Sequence, residues 1–286
     1  MPEPAPDAAP EPVPESPSEP QGGPRELAAA LAALAADPRR APVLVALDFD
    51  GTLAPLQDDP ERSRILPAGV VQLGRLADAG VALAVLSGRG LDVLARLAQV
   101  PVGTVLVGSH GAEVARLGPS GPDRPGALLT SDQAARHAAA QTQLGEVARG
   151  RDGVWVEVKP AAAVLHTRLA EPDVADQARA RARAVAARLG IEAKDGKDVV
   201  ELAVVDADKG TALTQVRTET GATTVVYAGD DRTDEDALAV LCPGDLGIKV
   251  GEGPTRAAYR LPDPEAMVEA LRTFADAVER QHRRRH

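Results

Sequence analysis

The chain has 286 residues, enough for one large domain or a core with a smaller insert, and 44% of them are hydrophobic, so a sizeable core can be buried. Aromatic residues make up only 2%, too few for the stacking platforms that read single-stranded nucleic acid, and a formal charge of -10 opposes polyanion binding over most of the surface. One cysteine, Cys242, rules out an internal disulfide framework and suits the cytoplasm, and neither a membrane-length apolar run nor a secretory leader is read.

Residues 1–24 are dominated by Pro, Glu and Ala, a composition that blocks helix and sheet and predicts a disordered tail. Glu3, Asp7, Glu11, Glu15 and Glu19 all precede the first basic residue, Arg25, so the rest of the chain carries only about -5. A helix is expected over 25–36, stopped by Pro38. The apolar run 43–47 then reads as a buried parallel strand that ends abruptly at Asp48. A helix over 68–79, closed by Gly80, leads to a strand over 81–86 that ends in Ser87-Gly88-Arg89. A further helix over 91–98 leads to a strand over 104–107 that ends in Gly108-Ser109-His110-Gly111. Strand, polar loop and helix in repetition predict a doubly wound, Rossmann-like α/β core with its working loops at the carboxyl ends of the strands.

The pattern breaks after Gly118, where a Gly/Pro-rich stretch to Gly126 reads as a linker. Helices over 131–149 and 174–189, with strands over 154–158, 164–169 and 199–205, predict an inserted α+β cap. The first pattern resumes with a helix at Lys209 and a strand over 224–228. The expected organisation is therefore a core of residues 25–118 and 204–280 with a cap at 119–203. Arg283-Arg284-Arg285 reads as a frayed charge run rather than a nucleic-acid patch.

Acidic residues collect where ligands bind in such folds. Residues 48 and 50 in Asp48-Phe49-Asp50-Gly51-Thr52 are two apart, so along a strand their carboxylates would face one side, where they repel unless a cation or proton joins them. Asp and Gly are also ordinary turn residues, so this pair alone leaves a plain turn open. Gly229-Asp230-Asp231-Arg232-Thr233-Asp234-Glu235-Asp236 follows an apolar strand, and hard oxygen donors at that density suit magnesium, although acids also favour a helix N-terminus.

Taken in order, Asp48-Phe49-Asp50-Gly51-Thr52, Ser87, Lys209 and Asp230-Asp231 resemble the motifs of the haloacid dehalogenase superfamily. The resemblance implies attack on phosphorus by Asp48, with Asp50 as general acid and then general base. It further implies that Ser87 binds the phosphoryl group and Lys209 offsets its charge. Mg2+ would be held by Asp48, Asp50 (through its main-chain carbonyl) and Asp230, with Thr52, Asp231 and Asp234 around it. The flanking segments narrow the match. Ser87-Gly88-Arg89, Gly108-Ser109-His110-Gly111-Ala112-Glu113, Glu157-Val158-Lys159-Pro160, His166-Thr167-Arg168 and Gly196-Lys197-Asp198-Val199-Val200-Glu201 are similar to successive motifs of the trehalose-phosphate phosphatases, over about residues 43–272.

What this implies is a sugar-phosphate substrate, trehalose 6-phosphate first. Gly88, Arg89, His110, Gly111 and Glu113 of the core and Lys159, His166, Arg168, Lys197 and Glu201 of the cap would be its binding residues. Val158, Thr167, Ala203 and Asp208 depart from the family pattern, and they bear on sugar selectivity rather than on the core chemistry. Two other readings stand beside it: a related sugar-phosphate phosphatase, and a catalytically silent binding partner of a trehalose-phosphate synthase.

Overall fold

The computed structural model describes residue 20, residues 22–124 and residues 129–285, side chains of 284 and 285 excepted. Most of the expected tail and part of the expected linker lie outside these residues. Residues 22–24 do not belong to a tail. The Gly22 N–H donates to the Ala258 carbonyl at 3.1 Å, and the Gly22 carbonyl accepts from the Arg260 N–H at 2.9 Å. Pro24 then opens helix α1 (Pro24–Ala36), where its missing N–H costs nothing, and Glu26 reaches back to the Gly23 N–H at 3.0 Å. Leu27, Leu31 and Leu34 form the buried stripe of α1.

In chain order there follow β1 (Val43–Asp48), α2 (Pro67–Asp78), β2 (Ala82–Leu86), α3 (Leu91–Ala98), β3 (Val105–Gly108), β4 (Glu113–Gly118) and β5 (Gly121–Asp123). Next come α4 (Ser131–Ala148), β6 (Trp155–Lys159), β7 (Ala162–His166), α5 (Pro172–Leu189), β8 (Ala193–Gly196) and β9 (Val199–Ala203). The chain closes with α6 (Lys209–Thr220), β10 (Thr224–Gly229), α7 (Asp234–Ala239), β11 (Leu246–Val250), β12 (Tyr259–Leu261) and α8 (Pro264–Arg285).

Eight strands form one sheet in the order β12-β11-β10-β1-β2-β3-β4-β5, parallel from β12 to β3 and antiparallel at β4 and β5. Strand side chains alternate, so Val45 and Leu47 of β1 face the core under α1, α2, α3 and α8, while Leu44 and Ala46 face the core under α6 and α7. Both faces are covered, which is why β1 is apolar up to Asp48 and β10 is mostly apolar. From β1 the order runs outward through β2 and β3 on one side and through β10 and β11 on the other. The strand order therefore reverses between β1 and β10, and a crevice opens at their carboxyl ends.

The second sheet, β6-β7-β9-β8, is antiparallel. Ala163, Leu165, Val200 and Leu202 pack against α4 and α5, and the alternate residues, Lys159 and Glu201 among them, lie on the sheet's other face. Strand β7 starts two residues earlier than expected, because pairing with β6 and β9 overrides the weak strand preference of Ala162-Ala163. The expected linker is partly strand: β4 and β5 form a hairpin that extends the large sheet, and its turn falls on the boundary expected at 118–119. Helix α8 continues past residue 280, where a frayed run was expected. Among the described residues no helix is long and apolar enough to cross a membrane.

Candidate active site

Asp48 is the last residue of β1 and is buried at the crevice. Lys209 is the first residue of α6, where the Asp208 side chain caps the helix by accepting from the Thr211 N–H at 2.7 Å. Lys209 thus starts the helix at the carboxyl end of β1, and its Nζ donates to Asp48 Oδ1 and to Asp234 Oδ1, both at 2.7 Å. Asp230 follows β10, and Asp231 braces the turn into α7, accepting from the Thr233 N–H at 2.8 Å and the Asp234 N–H at 3.1 Å. Asp234 is fully buried, and its Oδ2 accepts from the Asp231 N–H at 3.0 Å. Asp48, Asp230 and Asp234 each offer a carboxylate oxygen within 4.8 Å of the others. Gly51 makes this approach possible. Its φ is +79°, and a Cβ there would stand 2.1 Å from Asp230 Oδ2.

The electrostatics favour a cation. Burial pushes the Asp48 carboxyl well above its ordinary range, Lys209 opposing and Asp234 adding to the rise. Burial and the charges of Asp234 and Asp231 carry Asp230 up to about 6, and burial likewise raises Asp234. Asp231 goes the other way, to about 2: burial works against it, but Lys209 and the bonds from Asp234 and Thr233 prevail. Burial also disfavours the charge on Lys209, but Asp48 and Asp234 outweigh it and hold its pKa above the ordinary value. A second buried ammonium, Lys249 of β11, donates to the main-chain carbonyl of Asp230. Four carboxylates against two ammonium groups leave an excess of negative charge, all on hard oxygens, and this donor set fits a small divalent cation.

Asp50 is placed differently from the sequence expectation. The chain leaves the strand at Phe49 and turns at Gly51, so strand alternation does not extend to residue 50. Its carboxylate is gripped by Arg89, whose Nε and Nη2 donate to Oδ2 and Oδ1 at 2.6 and 2.7 Å. The Arg89 guanidinium also donates to Ser63 Oγ at 3.0 Å and lies 5.5 Å from the centre of the Phe49 ring. Each aspartate thus has its own cation, and the acids that join Asp48 are Asp230 and Asp234. Ser87 is buried at the end of β2 and accepts from the Arg89 N–H at 3.2 Å. The Thr52 hydroxyl is buried with no hydrogen-bond partner among the described residues.

A cavity of about 500 Å³ lies between this crevice and the free face of the small sheet, lined by His110 and Lys209 on one side and Lys159, Lys194 and Glu201 on the other. Lys159 Nζ donates to Glu201 Oε2 at 2.7 Å. Burial, then the charges of Lys209 and Lys159, lower the His110 pKa, which favours the neutral ring at neutral pH. Gly88 is packed under that ring, where a Cβ would meet it at 2.5 Å. Gly111 turns against the Asp208 carbonyl.

Other expected binding residues lie elsewhere. Glu113 is buried and accepts from the Leu91 N–H at 3.1 Å and the Ser109 hydroxyl at 2.7 Å, so it ties the start of α3 to the loop after β3. His166 stacks on Trp155 at 4.7 Å and lies 2.8 Å from Glu157, with Arg168 5.8 Å from the Trp155 ring, at the far end of the small sheet. Lys197 is exposed in the turn between β8 and β9, and neither it nor His166 or Arg168 lines the cavity. Thr167 is buried and bonded to the Asp198 carbonyl at 3.0 Å, while Ala203 lines the cavity. Sequence reasoning missed Tyr227 and Lys249, and also Lys194 and Arg232, which line the cavity. The available signal for the first two was a polar tip or a charge inside an otherwise apolar strand.

Residues 46–265 match the sequence model of the trehalose-phosphatase family. The chain is 35% identical over 254 residues to the trehalose-phosphate phosphatase of Mycobacterium avium, a match covering 82% of this chain and 63% of that protein. It therefore spans less than two thirds of that relative's length. A solved trehalose-6-phosphate phosphatase related protein superposes with a TM-score of 0.65 at 27% identity, covering 83% of this chain and 99% of its own. The Aspergillus fumigatus trehalose-6-phosphate phosphatase shares the fold, with a TM-score of 0.69 at 23% identity over 87% of this chain and 97% of its own.

Proposed function

Since the chain belongs to the trehalose-phosphatase family, we propose that it hydrolyses a sugar phosphomonoester, trehalose 6-phosphate first among them, through an aspartyl-phosphate on Asp48. One observation supports this most: the buried Asp48–Lys209 pair, inside an acidic trio, adjoins a cavity whose opposite wall carries the Lys159–Glu201 pair. A nucleophile for phosphorus and a polar wall for sugar hydroxyls thus share one space.

Asp48 donates a carboxylate electron pair to phosphorus as the sugar–oxygen bond to phosphorus breaks. Asp50 gives the departing sugar oxygen its proton, and then takes one from the water that attacks the aspartyl-phosphate and releases inorganic phosphate. Asp50 can do this only once the Arg89 fork has opened, since both of its carboxylate oxygens accept from that guanidinium. Lys209 and Ser87 lie beside Asp48 and beside Arg89, placed to hold the phosphoryl oxygens. Asp48 and Asp230 with the Asp50 main-chain carbonyl would hold Mg2+, which when bound supplies the positive charge that lets a carboxylate approach a phosphate dianion. Lys159 and Glu201 read the sugar hydroxyls from the cap. The cytoplasm is the proposed setting, on the strength of the single cysteine.

The test is phosphate release from trehalose 6-phosphate, sucrose 6-phosphate, mannosyl-phosphoglycerate, glucose 6-phosphate and a small aryl phosphate, with and without magnesium. Trehalose 6-phosphate should give the highest kcat/KM, and chelation should abolish all turnover. A clear preference for another sugar would move the substrate and keep the chemistry. No release from any ester would leave a silent binding module, a reading that the complete set of Asp48, Asp50, Lys209 and Asp230 speaks against.

A further inference from the structure

Tyr227 sits in the middle of the apolar strand β10 and is the largest fully buried side chain among the described residues. Its ring belongs to the core cluster that contains Leu44, Ala46, Leu213 and Val216, so packing fixes where its hydroxyl stands. Phe would fill that space without having to bury a polar atom. The hydroxyl donates to Asp234 Oδ1 at 2.6 Å, the oxygen that also accepts from Lys209 Nζ at 2.7 Å. Lys209 Nζ in turn donates to Asp48 Oδ1 at 2.7 Å. Four side chains from β10, α7, α6 and β1 thus form one chain of bonds, with Tyr227 and Asp234 at no exposure and Lys209 at 2%.

We propose that Tyr227 is a positioning residue for the nucleophile: its hydroxyl anchors Asp234, which fixes the Lys209 ammonium against Asp48. The geometry gives each link its reason. An aspartate carboxylate can turn about its own bond, and Asp234 has its Oδ2 tied to the Asp231 N–H at 3.0 Å. The phenol supplies the second tie, on Oδ1, from a ring that cannot move. A four-carbon lysine stem is flexible, and two anchored carboxylates restrict it to one place. Supporting shells of this kind set the orientation of the groups that do the chemistry. The proposal rests on the phosphatase reading for what the ordered Lys209–Asp48 pair is used for, but the chain of bonds exists whatever the substrate.

Tyr227→Phe keeps the ring and removes the anchor. We expect kcat to fall about tenfold, equally on trehalose 6-phosphate and on a small aryl phosphate, with KM changed by less than about twofold and circular dichroism unchanged. An unchanged kcat, a change confined to KM, or a loss on the sugar phosphate alone overturns the proposal. A second measurement needs no turnover. The chain has two tyrosines, so in protein labelled with 3-fluorotyrosine the Tyr227→Phe variant assigns the Tyr227 fluorine signal. Asp234→Asn and Lys209→Met break successive links, and both should move that signal in folded protein. A signal that answers to Asp234→Asn but not to Lys209→Met shows a phenol that serves Asp234 alone, and overturns the relay. A wild type that releases no phosphate while both substitutions still move the signal would end the phosphatase reading and leave the relay standing.

Discussion

Asp48 is buried against one ammonium group and two further acids, and these neighbours decide how its replacement should behave. Asp48→Asn removes the proposed nucleophile but also one of three mutually repelling carboxylates, so the lost ion pair is offset and the fold should survive. Turnover should fall by at least roughly 10⁴-fold while the thermal midpoint holds; appreciable activity in the folded variant would show that another group attacks. Lys159 and Glu201 bond to each other across the wall of the cavity. Lys159→Ala or Glu201→Ala should each cut kcat/KM on trehalose 6-phosphate roughly ten- to a hundredfold and spare the aryl phosphate, and the double variant should cost little more than either single one. Equal losses on both substrates would mean that the pair supports the core instead of reading sugar. Asp48 and Asp230 were legible in the sequence because each stands where an apolar run stops, and Lys209 only through its place in the order of the motifs. Tyr227 and Lys249 were not, because each lies inside such a run, and only the fold shows what meets its polar tip.

At the scale of elements, the strands that end in the site could be read because burial on both faces makes them continuously apolar. The short strands could not. Ala193–Gly196 is Ala-Lys-Asp-Gly and Gly121–Asp123 is Gly-Pro-Asp, and both are strands because a neighbour pairs with them, not because of their own preference. The start of the first helix is a similar case, since Gly22 bonds to the edge strand β12 before α1 begins. A boundary test follows. Removal of residues 1–19, a Pro- and acid-rich segment with little apolar area, should leave the thermal midpoint and kcat unchanged. Removal of residues 1–24 should lower the midpoint, because it takes away both Gly22 bonds and the first helical residue. A drop with the shorter deletion would show that residues 1–19 contribute to stability, against their composition.

Considered as a whole, the molecule brings four aspartates to one end of its large sheet, and this concentration ties its stability to protons and to any cation held there. Without a cation, burial and repulsion from neighbouring acids hold Asp230 up at about 6 and raise Asp48, and burial raises Asp234. A carboxyl raised above its unfolded value of about 4 binds its proton more tightly in the folded chain. The stability it contributes is therefore complete below that value and is lost as pH rises through the folded pKa. Asp231, held at about 2, has the opposite sign, but its contribution is lost only as pH falls toward 2, so it is constant between pH 5 and 7.5. His110, lowered by burial, works the other way inside the window, since its neutral ring gains stability as pH rises toward its unfolded value of about 6.5. Three raised carboxyls outweigh one imidazole, so chelated protein should lose thermal stability as pH rises across that window. Magnesium held by these acids would compete with those protons and would have more to neutralise at the higher pH. At a hundredfold excess over its Kd it should add about 2.7 kcal/mol, or roughly 5 to 10 °C in Tm. That gain should be clearly larger at pH 7.5 than at pH 5 when the magnesium concentration is fixed. The measurement is a set of thermal melts with chelator or magnesium at the two pH values, repeated on Asp230→Asn, in which the gain should shrink. Gains of equal size at both pH values, or a full gain in the variant, would mean that the ion binds elsewhere and that the acids at the ends of β1 and β10 do not hold it.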